Sequence, residues 1–175
     1  KKEQKSLSFF CVIIKLEKRC NMTIEKKLEE LGIKYDIVEH VPVYTVEEAK
    51  EKVPQIDGIG CKNLFLKTQK KEYFLYTLKE DKQVNLKELS DNLQVTRFHF
   101  ASPENLEELL GVIPGSVTPL AIINDQENKV TVVLDKELKG QKILVHPNRN
   151  TATISILYED LVKLINAENH KLIEI

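Results

Sequence analysis

The fold of this chain is decided by two apolar stretches, Asn63-Leu64-Phe65-Leu66-Lys67 and Tyr73-Phe74-Leu75-Tyr76-Thr77-Leu78. The polar segment Gln69-Lys70-Lys71-Glu72 lies between them. Short runs rich in aromatic and aliphatic side chains, bounded by a polar segment, are typical of paired β-strands. The sequence therefore predicts two neighbouring strands that are joined by a turn.

The same patterns, followed outward, predict the remaining elements. Further strands are predicted at residues 35–40, 95–100, 120–123, 130–134, 143–145, 151–156 and 172–175. Helices are predicted to begin after the capping residues Thr23, Thr45, Asn85 and Ser102, with a final helix over 158–166. Because strands outnumber helices and lie in adjacent pairs, we predict an α+β fold with a mixed, largely antiparallel sheet and surrounding helices.

The composition favours an ordinary globular domain without a metal. The 175 residues fit one domain, and a net charge of -1 provides no global basic field, so any contact with nucleic acid must be local. Three cysteines without CxxC spacing argue against a disulfide framework and a zinc knuckle, and the four histidines lie far apart. We expect no metal, no cofactor and a reducing, cytoplasmic location.

The first 21 residues differ from the rest of the chain. An apolar run follows a basic start, as in a signal peptide, but Lys15 and Glu17 come directly after it, and no small-residue cleavage site is present. The run is also too short to span a bilayer. We interpret residues 1–21 as an N-terminal extension, either from a mis-set start or added for expression, and residues 22–175 as a single domain.

The segment from Gly111 to Pro119 has the composition of a shaped loop. It holds two glycines and two prolines in nine residues, directly before an apolar run. Glycine permits positive φ and close backbone approach, whereas proline fixes φ. Exposed backbone N–H groups in such a loop can hold a carbonyl or phosphate oxygen. The alternative is an ordinary turn between a helix and a strand.

Three side chains beside the predicted strands are candidates for chemistry. Lys62 opens an apolar strand and could hold an anion or polarise a carbonyl, or it could be a solvated edge lysine. Asn63 offers both a carbonyl and an amide for reading a polar group, or it could simply bond at the strand start. His146 ends a strand and could orient water or line a pocket, or it could be a structural histidine.

Other reactive residues carry weaker signals. Cys61 could be a nucleophile, but no neighbouring feature lowers its pKa, and a buried inert thiol is the favoured interpretation. The lysines at positions 67, 70 and 71 could meet phosphates, although a solvated turn is favoured.

Four segments in order resemble the YbaK / prolyl-tRNA-synthetase-associated editing domain family. They are His40-Val41-Pro42-Val43-Tyr44-Thr45, Lys62-Asn63-Leu64-Phe65-Leu66, the loop from Gly111 to Pro119, and His146-Pro147-Asn148-Arg149-Asn150-Thr151. Each motif alone is weak, but their order and spacing are similar to those of the family from about Met22 to the end of the chain.

The resemblance implies a trans-editing hydrolase that deacylates mischarged tRNA(Pro), without a metal or cofactor. The loop sequence Pro114-Gly115-Ser116-Val117-Thr118-Pro119 is similar to the branch that acts on alanyl-tRNA(Pro). The alternative within the family is cysteinyl-tRNA(Pro), and an alternative of another class is a tRNA-binding or regulatory module that retains the pocket. The implied partners are mischarged tRNA(Pro) and, transiently, prolyl-tRNA synthetase or an elongation factor; we expect a monomer without membrane or DNA contacts.

The resemblance also assigns expected roles to individual residues. The expected catalytic residues are Lys62, Gly115 and Ser116, with the Gly115–Ser116 backbone holding the aminoacyl carbonyl. The expected substrate-binding residues are Asn63, Thr45, Pro114, Val117, Thr118, His146 and Asn150.

Overall fold

A computed structural model describes residues 23–175, so the interpretation of residues 1–21 as an extension lies outside the described residues. The described part forms an eight-stranded sheet with helices around it. The strands are β1 (Asp36–Glu39), β2 (Ile59–Lys67), β3 (Tyr73–Lys79), β4 (His99–Phe100), β5 (Val130–Leu134), β6 (Lys142–Val145), β7 (Ala152–Leu157) and β8 (Leu172–Glu174).

The strand order is β1-β7-β6-β2-β3-β5-β8, with β4 paired to the end of β2. Within residues 23–175, four pairings are antiparallel and three are parallel. The central β2–β3 pair is antiparallel over seven residue pairs, from Cys61 opposite Lys79 to Lys67 opposite Tyr73. The predicted α+β fold with a mixed sheet, built on these two strands, is confirmed.

Five α-helices surround the sheet, and four begin at the predicted capping residues. They are α1 (Ile24–Glu30), α2 (Val46–Lys52), α3 (Leu86–Asn92), α4 (Pro103–Leu110) and α5 (Tyr158–Ala167). The side chains of Thr23, Thr45, Asn85 and Ser102 each accept a backbone N–H of the first turn, as helix N-caps do. None of the helices in the described range is long and apolar enough to cross a membrane.

Each face of the sheet covers its own hydrophobic core. Along β3, Leu75 faces a large core that includes Phe65, Val132 and the apolar sides of α1, α4 and α5. Its neighbours Phe74 and Tyr76 face a smaller core under α3. Side chains that alternate along a strand point to opposite faces, so both faces of the central strands are buried.

One predicted strand is wrong. The run at 120–123 is a 3₁₀ helix, Pro119–Asn124, in which Leu120, Ala121 and Ile122 are fully buried. Thr118 accepts the Leu120 N–H, and proline occupies the first turn, which together favour a helical start. A short apolar run does not distinguish a buried strand from a buried helical turn, which explains the error.

Two strand boundaries also differ from the prediction. β2 begins at Ile59, four residues before the predicted start, and only His99–Phe100 of the predicted 95–100 strand pairs with a neighbour. The first difference matters for the site, because the first two added residues, Ile59 and Gly60, pair with β6, whereas the remainder of β2 pairs with β3.

Candidate active site

A cleft opens where β2 changes its pairing partner. Ile59 and Gly60 pair in parallel with β6, whereas residues from Cys61 onward pair with β3. The pairing of β2 with β6 ends at Gly60. A cleft of about 440 Å³ at this point is lined by the start of β2, by Leu144 of β6, by residues of α2 and by the loop that contains Gly115. A crevice formed where neighbouring strands separate is a common position for a bound ligand in sheets that contain parallel strands.

Six of the ten predicted site residues line this cleft. They are Thr45, Lys62, Asn63, Gly115, Val117 and His146. Residues from four separate parts of the sequence are therefore brought together around one cavity.

The other four predicted residues are not in the lining. Pro114 is exposed, whereas Ser116 is buried and its N–H donates to the Ile113 carbonyl at 3.0 Å. Thr118 is buried at the start of the 3₁₀ helix, and the Asn150 carbonyl accepts the Val43 N–H at 3.1 Å. These four residues therefore lie outside the lining of the cleft, and the Ser116 N–H is engaged within its own loop.

Asn63 ties the loop to the sheet. Its Nδ2 donates to the Val117 carbonyl at 3.0 Å, and its Oδ1 accepts the Thr77 hydroxyl at 2.8 Å. Thr77 lies directly opposite on β3. Asn63 is therefore a positioning residue that fixes the distance between the loop and β2. The N–H groups of Gly115 and Val117 have no acceptor within residues 23–175.

Lys62 supplies a positive charge to the cleft. The residue is half-buried on β2 and opposes Leu78 of β3. In the described part of the chain, no carboxylate lies within ion-pair distance of its ammonium. The cation is therefore available to an anionic or carbonyl group of a ligand.

His146 presents a neutral acceptor. Its Nδ1 contacts the Ala152 carbonyl at 3.0 Å, and because a carbonyl can only accept, Nδ1 carries the hydrogen. The other ring nitrogen, Nε2, is then an acceptor. Burial lowers the pKa of His146 below its ordinary value of 6.5, and the His40 ring, 6.4 Å away, lowers it further. A histidine whose pKa lies below 6.5 is mostly neutral at pH 7.

The neutral state of His146 predicts an acid limb in the pH–rate profile. We expect kcat/KM for deacylation to be retained at pH 6.5 and to fall only at lower pH, as the ring is protonated at its lowered pKa and Nε2 ceases to accept. Folding stability changes in the same direction. The pKa is lower in the folded than in the unfolded state, so the free energy of unfolding decreases as pH falls from about 6.5 toward the folded pKa.

The pH dependence is measured on the wild type and on His146→Gln, after subtraction of the uncatalysed ester hydrolysis. The variant keeps a polar side chain that does not titrate, so its profile should lose the limb. A limb that persists unchanged in His146→Gln would assign it to another group.

Cys61 is not a nucleophile in this cleft. Burial raises the pKa of its thiol to about 12, and its Sγ donates weakly to the Ile59 carbonyl. A thiol with this pKa is almost entirely protonated at pH 7. Within residues 23–175 no group of three or more His, Cys, Asp or Glu side chains is placed to hold a metal ion.

The lysines of the β2–β3 turn lie away from the cleft. Lys67 donates to Asn105 of α4 at 3.2 Å, and Lys70 and Lys71 occupy the exposed turn at the opposite end of the hairpin. They take no part in the cleft.

Several lining residues were missed by sequence reasoning. Tyr44 lies against the loop, where a Cβ on Gly115 would approach the tyrosine ring to 3.1 Å, and Gly115 has a φ of 89°. Lys50 and Glu80 form an ion pair at 2.9 Å at the rim. Tyr44 belongs to the segment from His40 to Thr45, but no role was assigned to it. Lys50 on α2 and Glu80 after β3 belong to no sequence motif.

A family model described as the aminoacyl-tRNA editing domain matches residues 40–164, which include every lining residue discussed above. The "Prolyl-tRNA editing protein ProX" of Acetoanaerobium sticklandii is 40% identical over 147 residues, which cover 82% of this chain and 89% of that protein. The "Prolyl-tRNA synthetase associated domain-containing protein 1" of Danio rerio is 39% identical over 150 residues, which cover 84% of this chain and 82% of that protein.

Solved structures confirm the fold. The crystal structure of "a putative trans-editing enzyme for prolyl tRNA synthetase" superposes with a TM-score of 0.65 at 20% identity, covering 86% of this chain and 92% of that chain. At this level of identity the likeness concerns the fold alone.

Proposed function

Since the chain belongs to the aminoacyl-tRNA editing domain family, we propose that it hydrolyses mischarged tRNA(Pro) in trans, with alanyl-tRNA(Pro) as substrate. The chain is an aminoacyl-tRNA deacylase. The observation that carries the proposal is the convergence of Lys62, Asn63, Gly115, Val117 and His146 on one cleft.

The reaction is the attack of water on the ester carbonyl carbon. The bond from this carbon to the ribose oxygen breaks, and the ribose hydroxyl and the free amino acid are released. An aminoacyl ester is already activated, so positioning and charge stabilisation can account for catalysis without a covalent intermediate. The inert Cys61 thiol agrees with direct hydrolysis.

The cleft supplies a group for each requirement of this reaction. We assign the unpartnered N–H groups of Gly115 and Val117 to the carbonyl oxygen, on which negative charge develops. This assignment replaces the Ser116 N–H of the sequence hypothesis, because that group donates within the loop. Lys62 binds the phosphate of the 3′-terminal adenosine or the region of the ester carbonyl, and Nε2 of His146 orients the water.

Selectivity against proline follows from size. Alanine is smaller than proline, so a synthetase pocket for proline cannot exclude it well, and a second site is needed. We expect the alanine methyl group to occupy a subsite between the Gly111–Pro119 loop and His146 that a pyrrolidine ring would enter only by moving packed atoms. Such overpacking costs roughly 1–3 kcal/mol, which corresponds to about ten- to two-hundredfold in rate.

The proposal is tested by single-turnover deacylation of tRNA(Pro) charged with alanine, cysteine or proline. We expect alanine to be released about ten- to two-hundredfold faster than proline, and chelator to have no effect. Equal rates on the alanyl and prolyl esters would contradict an editing function, and a clear preference for the cysteinyl ester would move the substrate to that amino acid. Protection of alanyl-tRNA without release of alanine would identify a binding module.

A further inference from the structure

Glu80 places a carboxylate in the cleft. It is the single acidic side chain among the lining residues within 23–175, and it is one-quarter exposed. No sequence motif points to it, and it lies directly after β3. The aminoacyl ester mechanism described above makes no use of a negative charge, so the carboxylate needs a separate explanation.

The position of this carboxylate is set by the backbone. The Glu80 N–H donates to the Gly60 carbonyl at 3.0 Å, and the side chain then passes over the Cα of Gly60. A Cβ at Gly60 would collide with Oε2 of Glu80. The missing side chain at Gly60 therefore creates the space in which the carboxylate lies, two residues before Lys62 on the same strand.

One cation contacts this carboxylate in the described part of the chain. The ammonium of Lys50, on α2, lies 2.9 Å from Oε1. The Lys50 side chain is 63% exposed, so water can replace the carboxylate as its partner. The pair is therefore exchangeable, and it shows that the site accepts a primary ammonium group.

The proposed substrate carries the same chemical group. The aminoacyl end of the tRNA has an α-ammonium next to the ester carbonyl. A cationic ligand group binds most strongly to a side chain of opposite charge. We propose that Glu80 binds the α-ammonium of the aminoacyl group, and that the Lys50 ammonium occupies the same position in its absence. The proposal rests on the proposed function and adds to it the group that recognises the amino acid as an amine.

The experiment compares alanyl-tRNA(Pro) with lactyl-tRNA(Pro), in which a hydroxyl replaces the ammonium. The kcat/KM values of each ester are divided by its uncatalysed hydrolysis rate, because the ammonium also activates the ester. The wild type should prefer the alanyl ester. Glu80→Gln should lower the value for the alanyl ester roughly ten- to a hundredfold, the range expected for a hydrogen bond between charged groups, and should leave the lactyl ester within about twofold.

Lys50→Met separates ligand binding from the packing of α2. The variant breaks the same ion pair but leaves the carboxylate free, so it should raise turnover of the alanyl ester. Glu80→Asp, which keeps the charge, should retain part of the discrimination that Glu80→Gln loses. If kcat/KM falls in Lys50→Met as much as in Glu80→Gln, on both esters, Glu80 only anchors α2. This result would overturn the proposal.

An equal loss of kcat/KM on the alanyl and lactyl esters in Glu80→Gln would also overturn the proposal that Glu80 binds the α-ammonium. The wild-type rate on the alanyl ester tests the proposed substrate separately. If the wild type acts instead on another aminoacyl ester, the same comparison is made with that amino acid and its hydroxy-acid analogue, so the two proposals fail independently.

Discussion

Replacing Lys62 with alanine should lower kcat/KM for deacylation of alanyl-tRNA(Pro) by about a hundredfold or more, with the melting temperature unchanged. The ammonium lines the cleft and has no ion-pair partner within residues 23–175, so its removal leaves no buried acid unpaired. Loss of one group that stabilises developing charge typically costs about 10²–10³ in rate, or roughly 2.7–4 kcal/mol.

Two further variants complete the test of Lys62. Lys70→Ala removes a lysine from the exposed turn of the same hairpin and should retain full activity. Lys62→Arg keeps the charge but changes the donor geometry and should recover only part of the rate. Near wild-type turnover of Lys62→Ala, with a folded protein, would remove Lys62 from the mechanism.

The second large effect is expected at Asn63. Asn63→Asp preserves the shape of the side chain but replaces the donor to Val117 with an oxygen, which repels that carbonyl. The carboxylate still accepts the Thr77 hydroxyl. We expect the loop to move away from β2, and since a displacement of about 1 Å at a reacting centre can cost 10²-fold, kcat/KM should fall by about that factor.

Thr77→Val is the matched control for this prediction. It removes the other hydrogen bond of Asn63 and leaves the contact with the loop in place. We expect a loss of stability of about 1 kcal/mol, measured by urea denaturation, with most of the activity retained. If Thr77→Val loses as much activity as Asn63→Asp, the contact with Val117 has no special role.

Local signals predicted much of the fold. Helix caps such as Thr45 and Ser102 act through residues three positions away, so the sequence alone identifies them. The hairpin of β2 and β3 was likewise visible in two apolar runs. The 3₁₀ helix at Pro119–Asn124 was not, because its burial between α4 and α5 depends on packing that a six-residue pattern does not encode.

The sequence identified site residues only where they belong to recognisable motifs. Lys62, Asn63 and His146 belong to segments with a recognisable order, and all three line the cleft. Glu80 could not be found in this way, since its place depends on a hydrogen bond to Gly60 across two strands. Ser116 belonged to the right loop, but the sequence did not indicate that its N–H would be used by Ile113.

The change of partner along β2 has a consequence for engineering. The cleft lies where the pairing of β2 with β6 ends at Gly60, and its walls come from a loop, a short helix and strand ends, whereas the two cores lie on the broad faces of the sheet. Exposed wall residues such as Tyr44 and Lys50 lie outside both cores. The scaffold should therefore tolerate libraries at these positions, and its preference among amino acids should be tunable without a large loss of thermal stability.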